Sequence, residues 1–504
     1  MTTIRLLPAG TTLEVAPGTP LQDVLFPHGV EFPCGGRGTC KACRVRVRGV
    51  APPPCADDRT AFPPGLLDAG WRLGCRMRAT ADLELELGVW SSPVLADDTA
   101  VTITSRDGCG IAIDLGTTTL AAQLVDRADG RVLATRTALN PQARHGADLM
   151  SRIDHALHGG AVALRDMVRL ELGCMASELA TMSPKPVRLV TVVGNTAMHH
   201  LFGGVDVRPL STPPYRPVKD GLLQFTDQDL GWDLDGAAIH VLPCLGGFVG
   251  SDLTAGILAT RIHQLEGLNL LVDLGTNGEL VCGGRDGLVC ASTAAGPAFE
   301  GAGISIGMRA ATGAIGAVTI EGDHLRPEVL GGGSPRGVCG SGLVDAIAAA
   351  LDLGWIVPSG RLQRGRTDLP LADGLALQGL DVRQLQLAKG AIAAGIHLLC
   401  AQSGGKTQDI RRVFLAGAFG NYVRIASAAR IGLLPVDPAI IHPSGNTALL
   451  GARLALHDDD HEYAAIRAMT RQVELKIEPS FDDTYISSMA FPSAGEDAFS
   501  PQAG

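Results

Sequence analysis

The chain has 504 residues, of which 46% are hydrophobic, 19% charged and only 4% aromatic, with 64 glycines. At about 150 residues per domain it holds about three or four domains, it can bury a sizeable core, and intrinsic disorder is excluded. A net charge of −10 argues against nucleic acid or an anionic membrane surface as partner. No apolar run is long enough to span a bilayer and no secretory signal opens the chain, so a cytoplasmic location is expected.

Residues 1–90 read as a small β-rich unit. Ile4-Arg-Leu6 and Thr12-Leu-Glu-Val15 flank a Pro-Ala-Gly turn as a hairpin would, and the spacing of Leu21, Val24 and Leu25 predicts a short helix capped by Thr19. Arg44-Val-Arg-Val-Arg48 and Leu83-Glu-Leu-Glu-Leu87 alternate as half-buried strands do. Between them lie Cys34, Cys40, Cys43 and Cys75 in the pattern C-x5-C-x2-C-x31-C. Four thiolates are what a 2Fe–2S cluster requires, and Gly35, Gly36 and Gly38 let the loop backbone approach inorganic sulfide. Zinc is the alternative reading, but zinc sites usually pair two short C-x-x-C elements, and here there is one close pair. Cys55 lies off the pattern.

This stretch resembles the 2Fe–2S ferredoxin family, with spacing nearer the adrenodoxin type than the plant type. The resemblance implies a β-grasp fold and one-electron transfer, with Cys34, Cys40, Cys43 and Cys75 as ligands.

Residues 91–108 read as a linker, with polar and turn residues and weak periodicity. Beyond it, Gly110-Ile-Ala-Ile-Asp114-Leu-Gly-Thr-Thr-Thr119 forms an apolar strand running into a hydroxyl-rich turn. The same design returns in Leu270-Leu-Val-Asp273-Leu-Gly-Thr-Asn-Gly278, which marks a duplicated lobe. Gly116 and Gly275 let successive N–H groups converge on an anion. Thr117, Thr118, Thr119, Thr276 and Asn277 add donors, while Asp114 and Asp273 would repel phosphate unless they hold Mg2+, directly or through water. Two such turns facing each other would grip a triphosphate. A third element, Val413-Phe-Leu-Ala-Gly417 to Tyr422, ends a strand in Gly417, Ala418 and Gly420, small enough for a base or ribose to lie on the backbone.

These residues resemble the acetate kinase, sugar kinase, Hsp70 and actin superfamily. The resemblance implies two RNase H-like lobes around a cleft for ATP and Mg2+. Four further segments, Val192 to His200, Ala294 to Gly303, Val338 to Asp345 and Gly445 to Ala452, together with the N-terminal unit, look like the reductive activators of corrinoid-dependent proteins. The expected architecture is therefore α/β and multidomain: a ferredoxin-type unit (1–90), a linker (91–108), a first ATPase lobe (109–266) and a second (267–504).

The family likeness implies ATP-dependent one-electron reduction of Co(II) to Co(I) in a cobalamin methyltransferase or other corrinoid protein. It also implies an upstream electron donor and allows a homodimer. It places a hydroxyl near cobalt, for which Ser292 and Thr293 are the candidates. His199 and His200 read as a packed helix-terminal pair rather than a metal or corrinoid contact. Plant-type clusters sit near about −400 mV, and a gap of ~200 mV to the corrinoid would cost about 4.6 kcal/mol per electron. Gripping the corrinoid protein in a more reducible state could supply that difference. Other readings are an ATP-dependent electron donor to a different enzyme, a small-molecule kinase with a regulatory cluster, and a nucleotide-responsive redox sensor.

Overall fold

The structure is a computed structural model that describes residues 1–7, 10–28, 30, 38, 43–87, 103–146, 148–275, 277–458 and 461–493. The N-terminal unit comprises β1 (Thr2–Leu7), β2 (Thr11–Val15), α1 (Leu21–Leu25), β3 (Arg44–Arg48), α2 (Ala56–Ala61), α3 (Pro64–Asp68), β4 (Trp71–Leu73) and β5 (Leu83–Leu87). Its strands lie in the order β2-β1-β5-β3-β4, with β1 and β5 parallel at the centre, which is the β-grasp arrangement. The alternation in β3 turns Val45 and Val47 into the core while its arginines face out, and Arg48 meets Glu86 at 2.7 Å. Leu21 and Leu25 of α1 are buried in the same core. The helix starts later than the Thr19 cap predicted. Pro20 occupies the cap position, and the Thr19 hydroxyl instead donates back to the Ala16 carbonyl at 2.7 Å.

The first lobe contains β6 (Cys109–Leu115), β7 (Thr119–Asp126), β8 (Val132–Leu139), α4 (Leu149–His155), α5 (Ala161–Thr181), β9 (Val187–Gly194), α6 (Thr196–Gly203), β10 (Leu223–Thr226), α7 (Asp227–Leu230) and β11 (Ala238–Val241), followed by α8 (Ser251–Thr260). The second continues with β12 (Leu268–Leu274), β13 (Gly278–Gly284), β14 (Gly287–Thr293), β15 (Ala314–Glu321), β16 (His324–Val329), β17 (Gly337–Val338), α9 (Gly340–Asp352), β18 (Asp368–Ala372), β19 (Leu375–Gln378) and α10 (Gly379–Gln402). It closes with β20 (Ile410–Ala416), α11 (Gly417–Gly420), α12 (Ile425–Arg430), β21 (Ile441–Pro443), α13 (Thr447–Ala455), α14 (His461–Met469), β22 (Thr470–Gln472) and α15 (Phe481–Met489).

The two central sheets repeat one topology. In the first, β8-β7-β6-β9-β11 pairs two antiparallel hairpins and then adds parallel strands. In the second, β14-β13-β12-β20-β21 does the same. The duplication expected from the paired Asp-Leu-Gly-Thr runs is therefore present in the backbone, and each run sits at the β6–β7 or β12–β13 turn.

Helices α8 and α13 cross between the sheets, within an apolar cluster drawn from both lobes that includes Ala112, Val193, Leu271, Val281, Leu449 and Ala452. At the crossing the backbones nearly touch. A Cβ on Gly451 would lie 2.1 Å from the Ala255 carbonyl oxygen, and one on Gly256 3.2 Å from Thr447. At the C-terminus, Val473-Glu-Leu-Lys-Ile477 alternates as a strand would, yet Leu475–Ile477 is a 3-10 turn, because pairing with β14 is made earlier, by Thr470–Gln472. Among the described residues, no helix is long and apolar enough to cross a membrane.

Candidate functional site

The β6–β7 turn is built so that only glycine fits at its first position. A Cβ on Gly116 would lie 2.4 Å from the Thr119 carbonyl oxygen. The turn is held from behind: Asn140 donates its side-chain amide to the Gly116 carbonyl and its backbone N–H to the Thr118 carbonyl, both at 2.8 Å, and Arg152 donates to the Thr117 carbonyl. Asn140 and Arg152 are fully buried, so this scaffold is committed.

The β12–β13 turn closes by a 3.0 Å bond from Gly275 N–H to the Asn277 carbonyl. Gly275 itself has room for a Cβ, the nearest atom being 3.8 Å away. Thr276 lies outside the described residues. Gly417, at the start of α11, adopts φ +85°, and a Cβ there would lie 2.4 Å from Asp273 Oδ1 and 2.6 Å from the Leu274 carbonyl oxygen. The third sequence element thus abuts the second turn directly. Gly420 lies one helical turn on, where a Cβ would come 3.2 Å from the Leu415 side chain. Ala418 lies between them in α11. Asn421 ties this element to the 445 loop, donating to the Gly417 carbonyl (2.7 Å) and accepting from Gly445 N–H (3.2 Å).

Four carboxylates crowd the space between the turns. Burial pushes Asp114 up to about 6, although a 2.9 Å hydrogen bond from Asn446 opposes the shift. Burial, then the charges of Asp252 and Asp114, push Asp273 up to about 7. Asp252, in the first turn of α8, is pushed up to about 7 by burial and by Asp114, against an opposing bond from Leu253 N–H. Glu279 on β13 is also held well above the usual carboxylate range, by burial and by Asp252 and Asp273. Mutual repulsion of buried carboxylates is what a bound cation would relieve. Among the described residues, no three His, Cys, Asp or Glu side chains converge closely enough to hold a metal ion by themselves.

Asp252, Glu279 and Asn446 were not singled out by sequence. Glu279 directly follows the second turn, and Asn446 falls in the Gly445-Asn-Thr-Ala segment. Asp252 had only the ordinary preference of acids for helix starts as a signal.

In the N-terminal unit, Cys43 is buried just before β3, and Cys75 sits half-buried in the turn after β4. Pairing of β3 with β4 brings them together, and Gly74 N–H donates to the Cys43 carbonyl at 2.8 Å. A Cβ on Gly74 would lie 2.9 Å from that oxygen, so the residue beside Cys75 must be small. Cys34 and Cys40 lie outside the described residues. The two described cysteines thus lie on adjoining stretches of backbone, Cys43 just before β3 and Cys75 just after β4.

Ser292 and Thr293 end β14. Ser292 is partly exposed and pairs across the ladder with Glu279. The buried Thr293 hydroxyl donates to the Gly278 carbonyl at 3.0 Å, so it acts as a strand tie. His199 and His200 are buried on α6, bonded to the Gly221 and Thr196 carbonyls, and burial pushes His199 down to about 4. Cys282, Cys290 and Cys339 are all buried, as small core residues would be.

Comparison with known proteins gives three consecutive family matches: the 2Fe–2S iron-sulfur cluster binding domain over residues 4–80, the RACo middle region over 109–265, and the C-terminal ASKHA domain of RACo over 267–502. The corrinoid activation enzyme RamQ of Eubacterium limosum is 35% identical over 76% of this chain and 70% of its own. The methylated amine-specific corrinoid protein Co(II) reductase of Methanosarcina barkeri is 29% identical over 77% of each chain. A solved reductive activator for a corrinoid iron-sulfur protein is 26% identical, with a TM-score of 0.67 over 98% of this chain and 99% of that one. The chain therefore belongs to the RACo family, with a 2Fe–2S-binding unit ahead of an ASKHA unit.

Proposed function

We propose that this protein is an ATP-dependent reductive activator that passes one electron to the cobalt of a corrinoid protein, converting substrate Co(II) to Co(I). The observation that carries this reading is the joining, in one chain, of a ferredoxin unit holding Cys43 beside Cys75 to a duplicated two-lobed unit with a glycine-tight β6–β7 turn and clustered carboxylates. Relatives named for corrinoid activation and Co(II) reduction support the substrate class. Residues 1–90, 91–108, 109–266 and 267–504 would act as ferredoxin unit, linker, first lobe and second lobe.

Cys34, Cys40, Cys43 and Cys75 would hold the 2Fe–2S cluster, which would serve as a one-electron carrier filled by an external reductant. The N–H groups and hydroxyls of Gly116 to Thr119 and of Gly275 to Asn277 would grip phosphates, and Gly417, Ala418 and Gly420 would offer a flat floor for adenosine. Asp114 and Asp273 would hold Mg2+, which takes one or two carboxylates and completes its shell with water and phosphate oxygens. Asp252 and Glu279 would add negative charge behind them. Ser292, partly exposed at the end of β14, is the better placed of the two hydroxyls to meet the corrinoid. Differential binding of the partner in its more reducible state would lower the barrier to electron delivery.

The test is anaerobic mixing of reconstituted protein, a chemical reductant and a Co(II) corrinoid protein, followed by absorbance. Co(I) should form faster with MgATP than without, and Cys43→Ser should abolish the reaction. A Cys43→Ser protein working at the normal rate, or a rate blind to MgATP, would overturn the proposal.

A further inference from the structure

The scaffold behind the first phosphate turn is also the surface on which the ferredoxin unit rests. Leu139, the last residue of β8, and Asn140 lead into a 3-10 turn, Pro141–His145, and then Gly146. One side of this segment is tied to the β6–β7 turn. Asn140 holds the Gly116 and Thr118 carbonyls, and Arg152 spans the Thr117 carbonyl, the Gln142 side chain (3.3 Å) and the Gly146 carbonyl (2.9 Å). Gln142, fully buried, also donates its backbone N–H to the Asn140 side-chain oxygen (3.0 Å) and its side-chain amide to the Leu164 carbonyl (2.9 Å).

The other side meets α1 of the ferredoxin unit. Gln22 donates to the Arg144 carbonyl at 2.8 Å, the Arg144 guanidinium lies 4.8 Å above the Phe26 ring, and Leu139 and Ala143 pack against the ferredoxin core. On its inner face, α1 supplies Leu25, whose side chain crowds Gly74 beside Cys75. The second lobe touches the same unit through Arg44 to the Gly307 carbonyl (3.5 Å) and Arg336 to Glu86 (3.8 Å). An unbroken chain of bonds and packed side chains thus runs from the phosphate turn to the turn that carries Cys75.

We propose that residues 139–146 form a nucleotide-sensitive docking face for the ferredoxin unit, so that phosphate bound at the β6–β7 turn tightens ferredoxin docking. The inference rests on the nucleotide reading above and adds to it a residue path and a sign. The sign follows from peptide polarisation. The carbonyls of Gly116, Thr117 and Thr118 share peptide units with the N–H groups of Thr117, Thr118 and Thr119, which are assigned to phosphate. Donation of those N–H groups to an anion makes the attached carbonyls better acceptors, because hydrogen bonds in series strengthen one another. Asn140 and Arg152 are then held more firmly, and with them the segment that bears Ala143 and Arg144. Linkage makes the effect reciprocal: docked ferredoxin must raise nucleotide affinity by the factor by which nucleotide favours docking.

The experiment uses full-length protein with its cluster reconstituted, and MgAMP-PNP as the probe. Calorimetry measures its affinity, and amide hydrogen exchange is followed over residues 21–25 and 139–146. Saturating MgAMP-PNP should slow exchange at 21–25 at least threefold in the parent protein. Gln22→Ala and Arg144→Ala, tested separately because either could disturb local folding, should abolish that slowing and weaken MgAMP-PNP binding by the same factor. Exchange at 21–25 unchanged by a nucleotide that calorimetry shows to be bound overturns the coupling alone. Full slowing in both variants does so too. Absence of any MgAMP-PNP binding overturns the nucleotide reading and the coupling with it.

Discussion

Replacing Gly417 by alanine probes the contact between the small-residue element and the β12–β13 turn. The added Cβ would lie 2.4 Å from Asp273 Oδ1 and 2.6 Å from the Leu274 carbonyl oxygen, in a backbone with φ +85°. Carbon–oxygen contact at ordinary separation needs about 1 Å more in each case. The carboxylate could rotate aside, but the Leu274 oxygen is main chain and carries the turn with it. The left-handed conformation costs alanine about 1–2 kcal/mol on its own, and a shift of about 1 Å in a binding turn can cost about 100-fold. We expect MgAMP-PNP to bind roughly 10- to 100-fold more weakly, about 1.4–2.8 kcal/mol. Calorimetric titration measures this, with the visible circular dichroism of the cluster checking that the ferredoxin unit is intact. Gly404→Ala is the control: it has φ +78° and nothing within 4 Å, so it carries the conformational cost without the clash. Binding by Gly417→Ala within about threefold of the parent, or an equal loss in Gly404→Ala, would refute the reasoning.

Asn446→Ala removes both a helix cap, the bond from Leu449 N–H at 2.9 Å, and the donor to Asp114. It should cost about 1 kcal/mol of stability and raise the pH below which protons displace Mg2+, seen as a shift in the pH profile of MgAMP-PNP affinity between pH 6 and 8; an unshifted profile counts against the role given to Asn446. Lys389 is 2% exposed, donates to the Ala490 carbonyl at 2.6 Å, and is pushed down to about 7 by burial. The unfolded chain keeps its lysine protonated well above that pH, so stability should rise with pH from about 7 towards 10, by up to about 1.4 kcal/mol per unit. Lys389→Met should lose that component of the slope, and equal slopes in urea titrations at pH 7.5 and 9 would contradict it. Finally, Thr293→Val should destabilise by about 1 kcal/mol in urea by breaking the tie to Gly278, whereas Ser292→Ala should be close to neutral.

The fold was legible because its signals are periodic or repeated. Valines alternating with arginines made β3, and the twin Asp-Leu-Gly-Thr runs announced two copies of one sheet. Local chemistry also located the turns, since Gly116 and Gly417 stand where only glycine fits. The remainder depends on contacts between segments far apart in the chain. Nothing near Asp252 says that α8 will bring it close to Asp114, and Asn140 reads as an ordinary turn residue until β8 carries it behind the β6–β7 turn. The same limit explains the tail. The alternating Val473-Glu-Leu-Lys-Ile477 suits a strand, but the free edge of β14 is already met by Thr470–Gln472. Thr19 likewise satisfies every preference for a cap except that Pro20 stands between it and the helix.

The near-contact of α8 and α13 has a mechanical implication. With main chain against main chain at Gly451 and Ala255, there is no cushion of flexible side chains through which the halves could slide. Sliding at that point would drive main chain into main chain, whereas swivelling about it would not, like shears on a rivet. Displacement from such a pivot grows with distance from it, so a small change of angle at Gly451 would be magnified towards the outer strands of each lobe.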